Sequence, residues 1–200
     1  MCGRFYIDPE LEKEIKAVVE EISNKYKDTP EFSAMKTGEI YPTDIVPVLT
    51  AGSPMLMKWG FTGYTGKGQI INARSETAAD KPMFRKSFLR KRCLIPANYY
   101  FEWEKRGAIK QKYAIGSGKT IFLAGLYRIE PDERLPRFVI LTRPAAPKLE
   151  FIHNRMPVIL PKDSHELWFN NLLDSNDLIL NSVENLQYEP INSQPTLFQF

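Results

Sequence analysis

Residues 93–103 read Cys-Leu-Ile-Pro-Ala-Asn-Tyr-Tyr-Phe-Glu-Trp. The run is apolar and aromatic, turns at Pro96 to Asn98, and predicts a strand beyond the turn. Strand-like segments recur at 112–115, 120–127 and 137–142, with turns at Gly116 to Gly118 and at Pro131-Asp132. This succession of hairpins predicts an antiparallel sheet curled into a barrel-like core with flanking helices, an α+β fold. Alternation along the strand turns Glu102 away from Phe101 and Trp103 and to the side of Tyr100. A carboxylate among large apolar neighbours tends toward a raised pKa, which suits a proton shuttle. An exposed glutamate on the strand's wet face is the competing reading.

Upstream, residues 78–92 have helical character interrupted by Pro82, and Lys81, Arg85, Lys86, Arg90, Lys91 and Arg92 make this the most positive quarter of the chain. A solvated helix face would look the same. Before it lie Ile70-Ile71 and Asn72-Ala-Arg-Ser-Glu-Thr77, then a Gly63 to Gly68 loop without phosphate-loop spacing. Met55 to Phe61 alternates as a strand with Trp59 as core, and 36–50 predicts short strands, with Pro42 barred from a central one. Residues 8–26 carry apolar side chains at Leu11, Ile15, Val18, Val19 and Ile22, the face of an amphipathic helix capped by Asp8 and Pro9. Downstream, His153 and Arg155 stand two apart, on one side of an extended segment ahead of Met-Pro-Val-Ile-Leu. His165 reads as surface and capping, and the stretch from Leu172 as a short helix followed by chain wrapped on the surface.

The chain has 200 residues, 43% hydrophobic, enough for one well-buried core, and residues 1–200 are expected to form a single domain. A net charge of +3 permits a nucleic-acid partner without demanding one. Two cysteines and two histidines make neither a disulfide framework nor a zinc site, so no metal and no cofactor is expected. No apolar run approaches the roughly 18 residues of a membrane span, and the start lacks a signal peptide. A cytoplasmic protein without membrane contact is expected. Cys93, in an apolar run, is expected to be buried and inert.

The chain opens Met-Cys-Gly-Arg-Phe. Loss of Met1 would leave Cys2 with a thiol and an α-amine on adjacent atoms. An α-amine has a pKa of about 7.7 to 8.0 and is partly unprotonated near neutral pH. Such a 1,2-aminothiol attacks carbonyls through nitrogen or sulfur, and with an aldehyde uses both to close a thiazolidine ring.

Taken in order, Cys2-Gly3-Arg4, Trp59-Gly60-Phe61, Asn72 to Thr77, Arg92 to Trp103, Ala124-Gly125-Leu126 and Ile152 to Leu160 resemble the SOS response-associated peptidase (SRAP) family, which senses abasic sites in single-stranded DNA. Two positions depart from its pattern: Asn98-Tyr99 stands where the family has Asp-Gly, and Ala146 where it has asparagine. The resemblance implies an SRAP fold and a crosslink in which the Cys2 amine forms a Schiff base with the abasic deoxyribose and the thiol closes a thiazolidine. It implies catalytic roles for Cys2, Asn72, Glu102 and His153. Arg4, Arg74 and Arg155 become phosphate clamps, Thr142 an extra donor, and Trp103 and Pro42 surfaces for a flanking base. The implied partner is single-stranded DNA bearing an abasic site, met by a monomer that associates with the nucleoid when bound. Self-release of Met1 by the same groups is consistent with the family name. Two alternatives compete: an N-terminal-nucleophile amidohydrolase, and a single-strand-binding module without covalent chemistry.

Overall fold

The computed structural model describes residues 2–107, 109–170 and 175–191. Strand β1 (Arg4–Ile7) precedes helix α1 (Lys13–Tyr26). The helix starts later than Asp8 because Asp8 is committed to a turn. Its Oδ1 accepts the Glu10 amide at 2.9 Å, and its own amide donates to Asn98 Oδ1 at 2.6 Å. Leu11 is therefore left exposed ahead of the helix, while Ile15 and Ile22 are buried.

Helix α2 (Pro30–Ser33) follows, then β2 (Gly38–Ile40) and β3 (Ile45–Val48), with Pro42 in the turn between them. Strand β4 (Met55–Trp59) stops at Gly60, whose φ of +107° suits glycine. A small hairpin, β5 (Phe61–Thr62) and β6 (Gln69–Ile70), carries the Gly63 to Gly68 loop before β7 (Asn72–Arg74). Helices α3 (Ser75–Ala78) and α4 (Pro82–Arg90) come next. Pro82 opens α4 rather than interrupting it, since the first helical position has no intrahelical use for an N–H. Then come β8 (Arg92–Ala97), β9 (Tyr99–Arg106), β10 (Ile109–Gly116), β11 (Ile121–Arg128) and β12 (Arg137–Pro144), the expected hairpin succession. The chain continues through β13 (Arg155–Pro157), α5 (His165–Asn170), α6 (Ser175–Leu180) and β14 (Gln187–Ile191). Part of the tail expected to wrap the surface is thus a sheet strand, β14 on β10. The rest of that tail, 192–200, lies outside the described residues.

One sheet is ordered β14-β10-β9-β1-β2 and the other β3-β4-β12-β11-β8. They share a corner where β8 runs through Asn98 into β9. The second sheet nearly closes, because Leu49 and Leu94 exchange backbone hydrogen bonds of 2.8 and 3.0 Å between the ends of β3 and β8. The result is the expected α+β domain, mostly strands around a barrel-like core with helices outside.

Among the described residues the ladders between strands are antiparallel except along β12, which runs parallel to β4 and then to β7. These two strands occupy one track beside β12, and the β5–β6 hairpin is the excursion between them. The Gly60 amide donates to Phe138 O at 2.7 Å and the Ile140 amide to Ile71 O at 3.0 Å, which fixes both ends of that excursion. Trp59 holds the junction from inside. Its ring packs 4.9 Å from that of Phe5 and 6.2 Å from that of Phe138, and its Nε1–H donates to Ile71 O at 3.0 Å. Burying each such aromatic contributes on the order of 1.5–3 kcal/mol. Asn72, the next residue, inherits its position from this packing.

Candidate active site

The β1–β9 ladder pairs Arg4 with Phe101 and Phe5 with Tyr100. It thereby draws the start of the chain against Glu102. Gly3, Arg4, Glu102, Trp103 and His153 line one open cleft of about 510 Å³, together with Lys105 and Lys110. Cys2, one residue inward, is 0% exposed, and its thiol donates to Arg4 O at 3.7 Å. Burial, and then the Glu102 carboxylate, push the thiol pKa far above its ordinary value. The thiol is therefore neutral across the physiological range. Cys93 is buried too, as expected.

Asn72 reaches across from β7 and its Nδ2–H donates to Cys2 O at 2.8 Å. Asn72 Oδ1 is buried and has no hydrogen-bond partner among the described residues. Glu102 is 5% exposed on the inward face of β9, with Tyr100, which excludes the wet-face reading. The Tyr100 hydroxyl is held protonated, chiefly by burial.

His153 lies in a turn rather than on a strand, contrary to the expected extended segment. Its amide donates to Leu149 O at 3.2 Å, and its Nδ1 accepts the Arg155 amide at 3.0 Å. The neutral ring consequently carries its proton on Nε2. Burial lowers the His153 pKa below its ordinary value, partly offset by the Glu102 carboxylate.

Arg155 does not project freely. Its guanidinium takes both oxygens of Glu76, one of them at 2.9 Å, and donates to Thr142 O at 2.6 Å and Thr142 Oγ1 at 3.2 Å. Thr142 itself is fully buried, so it orients Arg155 instead of facing solvent as a separate donor. Arg74 stands opposite Thr142 in the β7–β12 register, exposed and without an acidic partner among the described residues. Asn72 and Arg74, two apart on one strand, share a face.

Arg4 is also occupied. Its guanidinium pairs with Glu39 at 3.0 Å and lies between the rings of Tyr41 and Trp103, 4.4 and 5.0 Å from their centroids. Glu39 takes Lys112 as well, at 2.7 Å. Pro42 adjoins this stack in a turn fixed by the Tyr41 amide donating to Asp44 Oδ2 at 2.9 Å. The structure thus gathers Cys2, Asn72, Glu102 and His153 at one point. Arg4 and Trp103 wall the cleft, Arg74, Thr142 and Arg155 form a row on neighbouring strands, and Pro42 sits at the β2–β3 turn.

Glu39, Tyr41, Glu76 and Lys112 escaped the sequence reading. Only Glu76, two residues past Arg74, carried a local hint. His165 differs from its expected capping role: the ring packs edge-on to Phe122 at 4.4 Å, with Nε2 buried. Among the described residues no group of three or more His, Cys, Asp or Glu side chains could hold a metal ion. No helix among them is long and apolar enough to cross a membrane.

Known proteins share this arrangement of chain. Abasic site processing protein YoqW of Bacillus subtilis is 30% identical over 228 aligned residues, covering 100% of this chain and 99% of the relative. Abasic site processing protein YedK of Escherichia coli is 30% identical over 186 residues, covering 88% and 83%. A crystal structure of a Bacteroides thetaiotaomicron protein superposes with a TM-score of 0.77 over 96% of this chain and 93% of that one, at 23% identity, a likeness of fold. The family model for SOS response associated peptidase (SRAP) matches residues 1–195, and the chain belongs to that family.

Proposed function

We propose that this chain processes abasic sites in single-stranded DNA by forming a covalent thiazolidine through Cys2 once Met1 has been removed. One observation carries the reading. Asn72 grips the Cys2 carbonyl at 2.8 Å while keeping a buried, unpartnered Oδ1, beside a cleft that contains Glu102 and His153. An unmet buried acceptor costs on the order of 1–3 kcal/mol. A freed α-amine or a sugar hydroxyl would satisfy it. The names of YoqW and YedK as abasic site processing proteins support the same substrate.

The abasic sugar opens to its aldehyde, with His153 moving the hydroxyl proton. The neutral Cys2 amine adds to the carbonyl carbon; the Glu102 carboxylate takes the proton that nitrogen sheds and returns it to the departing oxygen as the carbinolamine loses water. The thiol then adds to the imine carbon, its proton passing to nitrogen, and the ring closes. The net change is the loss of one water. A thiol held neutral by burial suits this order, in which nitrogen attacks first. Arg74, Arg155 and Arg4 hold phosphates beside the lesion, Thr142 supports Arg155, and Trp103 and Pro42 support a flanking base. Glu102 and His153 also suit release of Met1 by Cys2, although ordinary methionine removal suffices. In this reading residues 1–200 are one SRAP domain that acts as a monomer on DNA in the cytoplasm, without a cofactor.

The test is a denaturing gel of protein with single-stranded DNA containing one abasic site, against intact DNA. A shifted band confined to the abasic strand, with the mass of protein lacking Met1 plus DNA minus water, supports the proposal. Its absence from protein confirmed to lack Met1 refutes the crosslink.

A further inference from the structure

Helix α4 carries charge that the rest of the fold does not neutralise. Arg4, Arg128, Arg137, Arg143 and Arg155 are each paired with a glutamate. Lys81, at the N-cap of α4, and Arg85, Lys86 and Arg90 within it are all exposed and have no acidic partner among the described residues. The first turn of the helix holds no acidic residue either. Lys81 and Arg85, and likewise Lys86 and Arg90, stand four apart, where like charges repel.

The inward face of α4 is spent on the core through Phe84, Ser87 and Phe88. At 3.6 residues per turn, Pro82 and Leu89 fall between Arg85 on one side and Lys86 with Arg90 on the other. These five residues line a shallow groove of about 460 Å³, in which Leu89 is 48% exposed. Two cationic margins around a narrow apolar strip fit a flexible polyanion with flat apolar faces. The groove is also continuous with the site through the chain: Arg74 ends β7, α3 follows at once, and α3 contacts both β7 and α4.

We infer that the α4 groove is a second contact for single-stranded DNA, binding the phosphates of the strand as it leaves the abasic nucleotide. The inference rests on the proposed DNA substrate and extends it to several nucleotides away from the lesion. A membrane surface fits less well, because the apolar residues of α4 other than Leu89, Pro82 and the half-buried Met83 point into the core.

The experiment compares the wild type with the triple variant Arg85→Ala, Lys86→Ala, Arg90→Ala, after circular dichroism confirms that both fold. Each is titrated by fluorescence anisotropy with an abasic strand of roughly 20 nucleotides across a salt series. Crosslinking is followed with that strand and with one of about five nucleotides. Each lost phosphate contact on a single strand removes about 0.7 from the slope of log K against log salt. The expected result is a slope shallower by about 2 for the long strand, with weaker binding, and an unchanged crosslinking rate on the short strand. An unchanged slope and affinity overturns the inference, as does an equal loss on short and long strands. Loss of binding to anionic phosphatidylserine vesicles with DNA binding intact overturns it in favour of a membrane. Crosslinking of the short strand by the wild type tests the proposed function separately, since the groove takes no part in it.

Discussion

Arg155 and Glu76 form a two-pronged ion pair, the guanidinium fork of one closed on both carboxylate oxygens of the other. The pair holds the Glu76 carboxyl down to about 2, with the Arg155 hydrogen bonds as the leading cause. A folded pKa below the unfolded value means the stabilising contribution is present above about 4.5 and is lost as pH falls toward 2. At neutral pH the clamp expected to grip DNA is thus already gripping a carboxylate, and a phosphate must displace it. Glu76→Gln should raise affinity for single-stranded DNA up to about five-fold at low salt, the scale of a partly exposed pair. Arg155→Ala should lower it. Anisotropy titrations check both, and weaker binding by Glu76→Gln would show that Glu76 orients Arg155 instead of competing for it.

Asn72 touches the Cys2 carbonyl and is set by the strand track that ends the β5–β6 excursion. Asn72→Ala frees the N-terminal residue to wander, and a misplacement of about 1 Å costs on the order of 100-fold in rate. Single-turnover crosslinking at saturating DNA should fall by one to two orders of magnitude while the Kd for DNA changes little. A parallel loss in both would assign Asn72 to binding alone.

The pH profile follows from the buried groups. Burial lowers the His153 pKa, which favours the neutral ring with its proton on Nε2. Below its unfolded value of 6.5 the unfolded chain takes up a proton that the folded one resists, so its contribution to stability falls as pH drops. Crosslinking should fall as pH drops below the ordinary α-amine range of about 7.7 to 8.0, because the attacking amine must be neutral, and His153→Gln should be slow at every pH. The Cys2 thiol, raised by burial, should resist iodoacetamide near pH 8 in the absence of DNA. Rapid alkylation, read by intact mass, would contradict the amine-first order.

The residues show unevenly how much a sequence discloses. The hairpins from β8 to β12 were legible because alternation and turn chemistry are local, and Glu102 followed from its parity with Tyr100. The parallel track of β4 and β7 beside β12 was not legible, since nothing local links Trp59 to Phe138. The same holds for partners distant in the chain: Glu39 with Arg4 and Lys112, and Tyr41 on the Arg4 guanidinium. The start of α1 was misread because the Asp8 amide is taken by Asn98, a contact 90 residues away. The His153 turn was misread because one ring nitrogen captures the Arg155 amide, an interaction that no periodicity encodes.

Trp59 joins the fold to the site, and its removal should register in both. The ring fills the space between Phe5 and Phe138, and its N–H satisfies Ile71 O, immediately before Asn72. Trp59→Ala leaves a large internal cavity and should cost about 3–5 kcal/mol of stability. Trp59→Phe keeps an aromatic in place but leaves Ile71 O with only the Ile140 amide of its two donors, a loss of about 0.5–1.5 kcal/mol. Urea denaturation measures both. Crosslinking by the folded Trp59→Phe protein should also slow, because the carbonyl that fixes the start of β7 loses one of its two donors. Wild-type crosslinking in a Trp59→Phe protein that has lost this stability would mean that the β12 ladder alone positions Asn72.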